Sequence, residues 1–276
     1  VSDQDLLPDG TRLYDTICAQ LRDTVWSLAD EVKDVGPGWL ARSLSLPEVW
    51  AVNLLHITRP ASPRELMALA DEQQAMLAFR RLRVEPEATA LELAAAVTGA
   101  GWRVDREVYM ALMGQPTTPS AGAEKVVELS DPQVAKLMRR WLKEDFPDVE
   151  PSRLDQVDEY SRREGKLWGE RSFGILDDRG EPASITKLRL RRGIAWVEDV
   201  YTVPEERNRG FARALVTHAA TLARAAQPEL TFIIADDNDW PKHLYESLGF
   251  RPVGVVWAFH RAIAVAHRAP AEGNLS

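Results

Sequence analysis

A chain of 276 residues with 45% apolar content is long enough for two packed cores, and a net charge of −8 argues against a nucleic-acid partner, which needs clustered Lys and Arg. A single cysteine, Cys18, excludes an internal disulfide, and neither a CxxC pair nor spaced His/Cys ligands offers a metal site. No apolar run approaches the ~20 residues of a membrane span and no basic-then-apolar signal opens the sequence, so a reducing, cytoplasmic compartment is expected.

Residues 1–10 are polar and read as a loose end. Ile17, Leu21, Val25 and Leu28 recur every three or four positions and predict a helix over 14–32, broken by Pro37-Gly38. The run 49–57 reads as a buried strand. Ser62-Pro63 supplies the cap and first residue of a helix over 64–74, and MLAFRRLRV reads as a strand. The segment 81–112 then runs strand, helix, Gly-aromatic, strand. The segment 231–259 closes in the same order, with Gly101-Trp102 standing where Gly249-Phe250 stands. This internal repeat predicts two related units.

The Gly/Pro/Ser/Thr-rich run 114–123 has linker composition. It divides the chain into a unit over 1–115 and a unit over 124–265, followed by a polar, flexible tail over 266–276. The second unit opens with a short strand, KVVEL, and a helix begun by Ser130-Asp131-Pro132. A helical region over 151–164 follows, then antiparallel strands over 172–177 and 185–191 joined by a DDRGEP turn. The arginines of LRLRR, 188–192, read as an exposed strand edge.

The rest is organised around 196–215, WVEDVYTVPEERNRGFARAL. Residues 196–203 are β-branched and aromatic, a strand that Pro204 ends. After a charged turn, Ala212, Leu215, Val216, Ala219, Leu222 and Ala223 recur at helical spacing, so a helix begins at about Gly210. Its first N–H groups lack intrahelical partners and form the positive end of the dipole. Arg207, Arg209 and Arg213 add positive charge where capping favours Asp or Glu, which points to an anionic ligand such as a pyrophosphate. Downstream, an apolar strand at 231–235 leads to Asn238 and to a short helix carrying Tyr245.

Together these features resemble the GNAT N-acetyltransferase superfamily. Its pyrophosphate loop, Q/R-x-x-G-x-G/A, is met by Arg207, Gly210 and Ala212. Its later signatures are met by Asn238, Tyr245 and Leu248-Gly249-Phe250, with Pro241 in place of a small residue. The resemblance implies an α/β fold of two GNAT-like mixed-sheet domains in tandem, each a twisted, mostly antiparallel sheet flanked by helices. It implies acetyl-CoA as co-substrate, with the pyrophosphate on Arg207, Asn208, Arg209 and Gly210 and on the helix start at Phe211, Ala212 and Arg213. Val200, Thr202 and Val203 would face the pantetheine arm from one strand, and Asn238 and Leu244 from the other side. The first unit lacks the loop and the tyrosine, so it is expected to be degenerate, shaping the acceptor pocket without binding acetyl-CoA.

Acetyl transfer to an amine needs a neutral nucleophile, yet a free alkylamine has a pKa near ~10 and is protonated at neutral pH. Glu198 is the candidate base if the strand is regular, and a bulge would bring Asp199 there instead. Glu198→Gln is expected to cost most at low pH. The Glu-Asp pair ahead of P-x-x-R-x-x-G also looks like the spermidine/spermine N-acetyltransferases, which implies a small cationic amine. Acidic residues between Glu144 and Glu159 would favour the same acceptor if they face inward. Tyr245 is the candidate acid for the departing thiolate. Direct transfer in a ternary complex is expected, because no cysteine or activated serine lies at the site. The alternatives are a non-catalytic acyl-CoA-binding or regulatory module and an acetyltransferase for protein lysines or N-termini. Oligomeric state is left open.

Overall fold

In the computed structural model, residues 10–114 and 122–263 are described. The expected loose end, most of the expected linker and the expected tail lie outside them. The first part runs α1 (Gly10–Leu28), β1 (Glu31–Asp34), β2 (Gly38–Arg42), β3 (Leu54–Ile57), α2 (Pro63–Gln73), β4 (Phe79–Val84), α3 (Glu87–Val97) and β5 (Arg103–Leu112). The second runs β6 (Val127–Glu128), α4 (Asp131–Asp145), α5 (Pro151–Trp168), β7 (Arg171–Leu176), β8 (Pro182–Arg191) and β9 (Ile194–Thr202). It closes with α6 (Phe211–Ala225), β10 (Leu230–Asp236), α7 (Pro241–Ser247) and β11 (Phe250–Ala262).

Several elements form for the reasons visible in sequence. Ser62 accepts a hydrogen bond from the Glu65 N–H at the start of α2, with Pro63 as first helical residue. Ser130 and Gln133 make a capping box at α4, and Asp177 accepts from Arg179 and Glu181 to shape the β7–β8 turn. Two early elements differ from expectation. The first helix stops at Leu28 because Glu31–Asp34 pairs with β2 in a hairpin whose turn holds Gly36 at φ 92°. The run 49–57 is not one strand. The buried Asn53 amide donates to Leu46 and Val49 carbonyls and accepts from the Ser43 N–H, folding Trp50–Val52 into a 3-10 turn and leaving a short β3.

The repeat is structural. In β3–α2–β4–α3–β5 and again in β9–α6–β10–α7–β11, a helix crosses between two parallel strands and a second helix leads to a last strand that pairs antiparallel with strands of the other unit. The units are two GNAT-like mixed sheets in tandem, but the sheets are fused. Their common order is β1-β2-β3-β4-β11-β5-β10-β9-β8-β7-β6. Each unit therefore lends its last strand to the other: β5 lies between β11 and β10, and β11 between β4 and β5.

Helices cover both faces. In the second unit α4 and α6 bury Leu137, Leu215 and Ala219 against Phe173, Ile185 and Val197 on one face. On the other, α1 and α5 bury Ile17 and Trp168 against Trp196 and Phe232, whose rings stack at 5.5 Å. In the first unit α2 and α3 pack Leu66 and Leu93 on Leu55, Leu82 and Phe259.

Candidate active site

The site begins where two parallel strands separate. β9 pairs with β10 only from Ile194 to Val197, opposite Leu230 to Ile233, after which β9 continues to Thr202 and β10 to Asp236 without further mutual pairing. The counterpart strands do not part. β3 and β4 pair through Ile57 and Val84, and the Glu85 N–H donates to the Ile57 carbonyl at 3.0 Å. A wedge between parallel strands thus exists in the second unit and is closed in the first.

A bulge lies beside the wedge. On β8, Ile185 to Lys187 spans two steps, while the opposing Tyr201 to Glu198 on β9 spans three. The extra residue falls at Asp199, held at φ 52°. A left-handed turn in mid-strand breaks the alternation and brings the Asp199 carboxylate to 2.9 Å from Lys187 Nζ. Strict alternation from Glu198 through Val200 to Thr202 does not hold.

Lys187 is fully buried and also meets Ser161 Oγ at 3.0 Å and Glu170 at 3.4 Å. Arg189, buried as well, bridges Glu164 at 2.9 Å and Glu170 at 2.7 Å and lies over the Trp196 ring. LRLRR is therefore not an exposed edge at Arg189. The misreading has a physical cause: an arginine buried by carboxylates on a neighbouring helix looks the same in sequence as one in water.

Four carboxylates, Glu164, Glu170, Glu198 and Asp199, face two cations, Lys187 and Arg189. Burial, and then the Asp199 charge, push the Glu198 carboxyl well above the usual carboxylate range. Burial also opposes ionisation of Asp199, but Lys187 and Arg189 outweigh it and hold that carboxyl below its ordinary value. Tyr245, on α7, is buried in the main core. Burial and the nearby Glu198 charge raise its phenol.

The arginine-rich turn joins β9 to α6. Residues 207–210 are exposed, Asn208 and Gly210 have φ of 63° and 80°, and α6 starts at Phe211. A Cβ on Gly210 would meet nothing within 4 Å, so the helix start looks onto open space of the kind a phosphate needs. Arg207 donates to the Thr202 carbonyl at 3.0 Å and to Glu144 at 2.5 Å, Arg209 pairs with Glu206, and Arg213 reaches Ser247 Oγ at 3.0 Å. Glu144 also accepts from Tyr201, which stacks on Trp141 at 5.2 Å. Sequence reasoning missed Lys187, Arg189, Glu164 and Tyr201, because their positions depend on which helix crosses which strand.

Other expected residues are placed differently. The side chains of Val203, Phe211 and Leu244 are in the core, which leaves only their backbone groups to face a ligand. Asn238 is exposed and its N–H donates to Asp236, while the N-cap of α7 is Trp240, so Asn238 is not the cap of that helix. Of the acidic residues on α4 and α5, Asp155 and Asp158 pair with Arg139, and Glu159 with Arg162 and Arg163. These carboxylates are satisfied within the helical layer. Among the described residues no group of three His, Cys, Asp or Glu side chains is placed to hold a metal ion, and no helix is long and apolar enough to cross a membrane.

The fold is that of a tandem GNAT-type α/β protein. Residues 135–250 match the acetyltransferase (GNAT) family. A functionally unknown conserved protein from Staphylococcus epidermidis is similar over 85% of this chain and 94% of its own, with 12% identity and a TM-score of 0.61. A GCN5-related N-acetyltransferase from Kribbella flavida is similar over 90% of this chain and 95% of its own, with 16% identity and a TM-score of 0.54. At such identities the likeness is one of fold, and its coverage spans both units. No curated protein matches the sequence.

Proposed function

We propose that the protein is an acetyl-CoA-dependent N-acetyltransferase that moves an acetyl group directly to a small cationic primary amine. The observation that carries this reading is the wedge between β9 and β10. It opens only in the second unit, beside the strand that carries the bulge at Asp199 and leads into the Arg207–Gly210 turn. The exposed turn and helix start suit the pyrophosphate, and the wedge suits the pantetheine arm, with Val200 and Thr202 on one wall. The co-substrate supplies an activated acyl carbon. The chain supplies position and proton transfer.

Glu198 is the base in this account. Asp199, ion-paired to Lys187 at 2.9 Å, is a weak proton acceptor, whereas the raised Glu198 carboxyl has more affinity for a proton taken from the amine. Tyr245 keeps its proton through the neutral range and is the proposed donor to the departing sulfur, with burial making it a weaker acid than a free phenol. Once Glu198 ionises, the cluster carries an excess of negative charge, which favours a positively charged acceptor. The enclosed charge cluster supports a small molecule as acceptor.

The test is thiol release from acetyl-CoA with a panel of diamines, polyamines, amino acids and lysine peptides. Release with the diamines or polyamines above the rate without acceptor is expected. Acetyl-CoA binding with no release for any amine would favour a non-catalytic module, and release with lysine peptides alone would favour a protein acceptor.

A further inference from the structure

A cavity of about 700 Å³ lies outside the wedge, at the β6 edge of the sheet where α4 and α5 meet. That volume falls in the range of small-molecule sites, roughly 300–1,000 Å³, and is far larger than a water or an ion requires. One wall is apolar, formed by Leu129 with Val134, Ala135 and Met138 of α4. The opposite wall is polar, formed by α5 and the start of β7. There Gly165 lets the chain run close to Glu170: a Cβ at Gly165 would sit 3.3 Å from the Glu170 carboxyl.

The charges around the cavity select the class of occupant. Arg171 is paired with Glu128, Asp158 with Arg139, and Arg162 with Glu159, while Glu170 is held by Lys187 and Arg189. Among the described residues, two lining charges carry no ion pair: Lys166 on α5 and Asp131 on α4, opposite in sign and both exposed. A lining balanced in this way offers one partner for a carboxylate and one for an ammonium. Neither a net anion nor a net cation is favoured.

The back of the cavity touches the charge cluster. Ser161 and Glu170 line it, and both contact the fully buried Lys187, which holds Asp199 on the bulge. The geometry points to a binding site for a small zwitterionic amphiphile of the amino-acid class, whose occupancy is transmitted through Ser161 and Lys187 to Asp199. Binding itself does not depend on the acetyltransferase reading. Only the view that its occupant regulates transfer rests on that reading.

The experiment is titration of the full chain, without acetyl-CoA, with L-phenylalanine and L-leucine, and with butylamine and butyrate as single-charge controls. Calorimetry reads affinity, and the Lys187 side-chain NMR signal reads transmission. Saturable binding of the two amino acids is expected, at least tenfold tighter than either control, with the Lys187 signal moving in step. Ala135→Trp, which fills the cavity, should weaken binding at least tenfold while the unfolding midpoint stays native-like. Asp131→Asn combined with Lys166→Gln, both on exposed positions, should weaken it without touching the core. Ser161→Ala should keep binding and lose most of the Lys187 shift.

Failure of both amino acids to bind, or equal affinity in the double variant, would overturn the site. Preference for butylamine or butyrate would overturn the ligand class, and binding with an unmoved Lys187 signal would overturn the coupling. A parallel acetyl-CoA titration keeps the wedge reading separate, since either site can fail while the other binds.

Discussion

Glu198 and Asp199, adjacent in the chain, divide the proposed proton transfer and the charge compensation of Lys187 between them. Because the Glu198 carboxyl is raised, it is protonated at low pH and becomes a base only as pH rises through its shifted value. Glu198→Gln should therefore lower kcat/KM of the proposed transfer by about 100-fold on the high side of that transition, flatten the acidic limb, and converge with the native protein at low pH. This reverses the sequence-based expectation of greatest loss at low pH, because burial was not visible in the sequence. Matching pH–rate profiles would remove Glu198 from proton transfer. Asp199→Asn tests the other half. Asn tolerates the left-handed backbone at φ 52°, so the change removes charge with little strain. It leaves the buried Lys187 with Glu170 as its remaining carboxylate, at 3.4 Å, and should destabilise the fold by about 3 kcal/mol in urea unfolding. An unchanged midpoint would show that Asp199 does not compensate Lys187.

The elements show which local patterns carry their own instructions. α6 was legible because Leu215, Val216, Ala219 and Ala223 fall at helical spacing, and they are buried as that spacing requires. Leu215→Ala should cost about 2–5 kcal/mol, read from the same unfolding curves, because Leu215 is fully buried between α6 and β8–β9. A loss under 1 kcal/mol would mean that the helix packs more loosely than the structure shows. The hairpin of β1 and β2 was not legible. All four residues of β1 are exposed, so no apolar alternation marks them. The bulge in β9 was foreseeable only as an option. It depends on Lys187 and Arg189 from β8 and Glu164 from α5 meeting at one point, and no local pattern records that meeting.

For the whole molecule, the repeat was legible and the exchange of strands was not. Strand–helix–Gly-aromatic–strand recurs in the sequence, but the partner of a strand is decided by the assembled sheet. β5 completes the second unit and β11 completes the first, so neither unit closes its sheet alone. Fragments 1–114 and 122–276 should each be unstable or aggregated when made separately, and should form a stable 1:1 complex when made together, as read by size exclusion and circular dichroism. Two independently folded monomers would contradict the exchange. The fused sheet also fixes the wedge. β10 is braced by β5 on the side away from β9, so the strands bordering the proposed acetyl-CoA groove are set by both units together.

The turn from Arg207 to Gly210 and the wedge behind it form the proposed acetyl-CoA site. Isothermal titration of acetyl-CoA into the native protein and into Gly210→Val tests it most directly. Valine at φ 80° is strained, and its side chain would fill the open space at the start of α6. Micromolar binding to the native protein is expected, with loss of binding in a variant that is less stable but still folded. Native protein that does not bind acetyl-CoA, or a folded variant that binds it equally well, would contradict the proposed site.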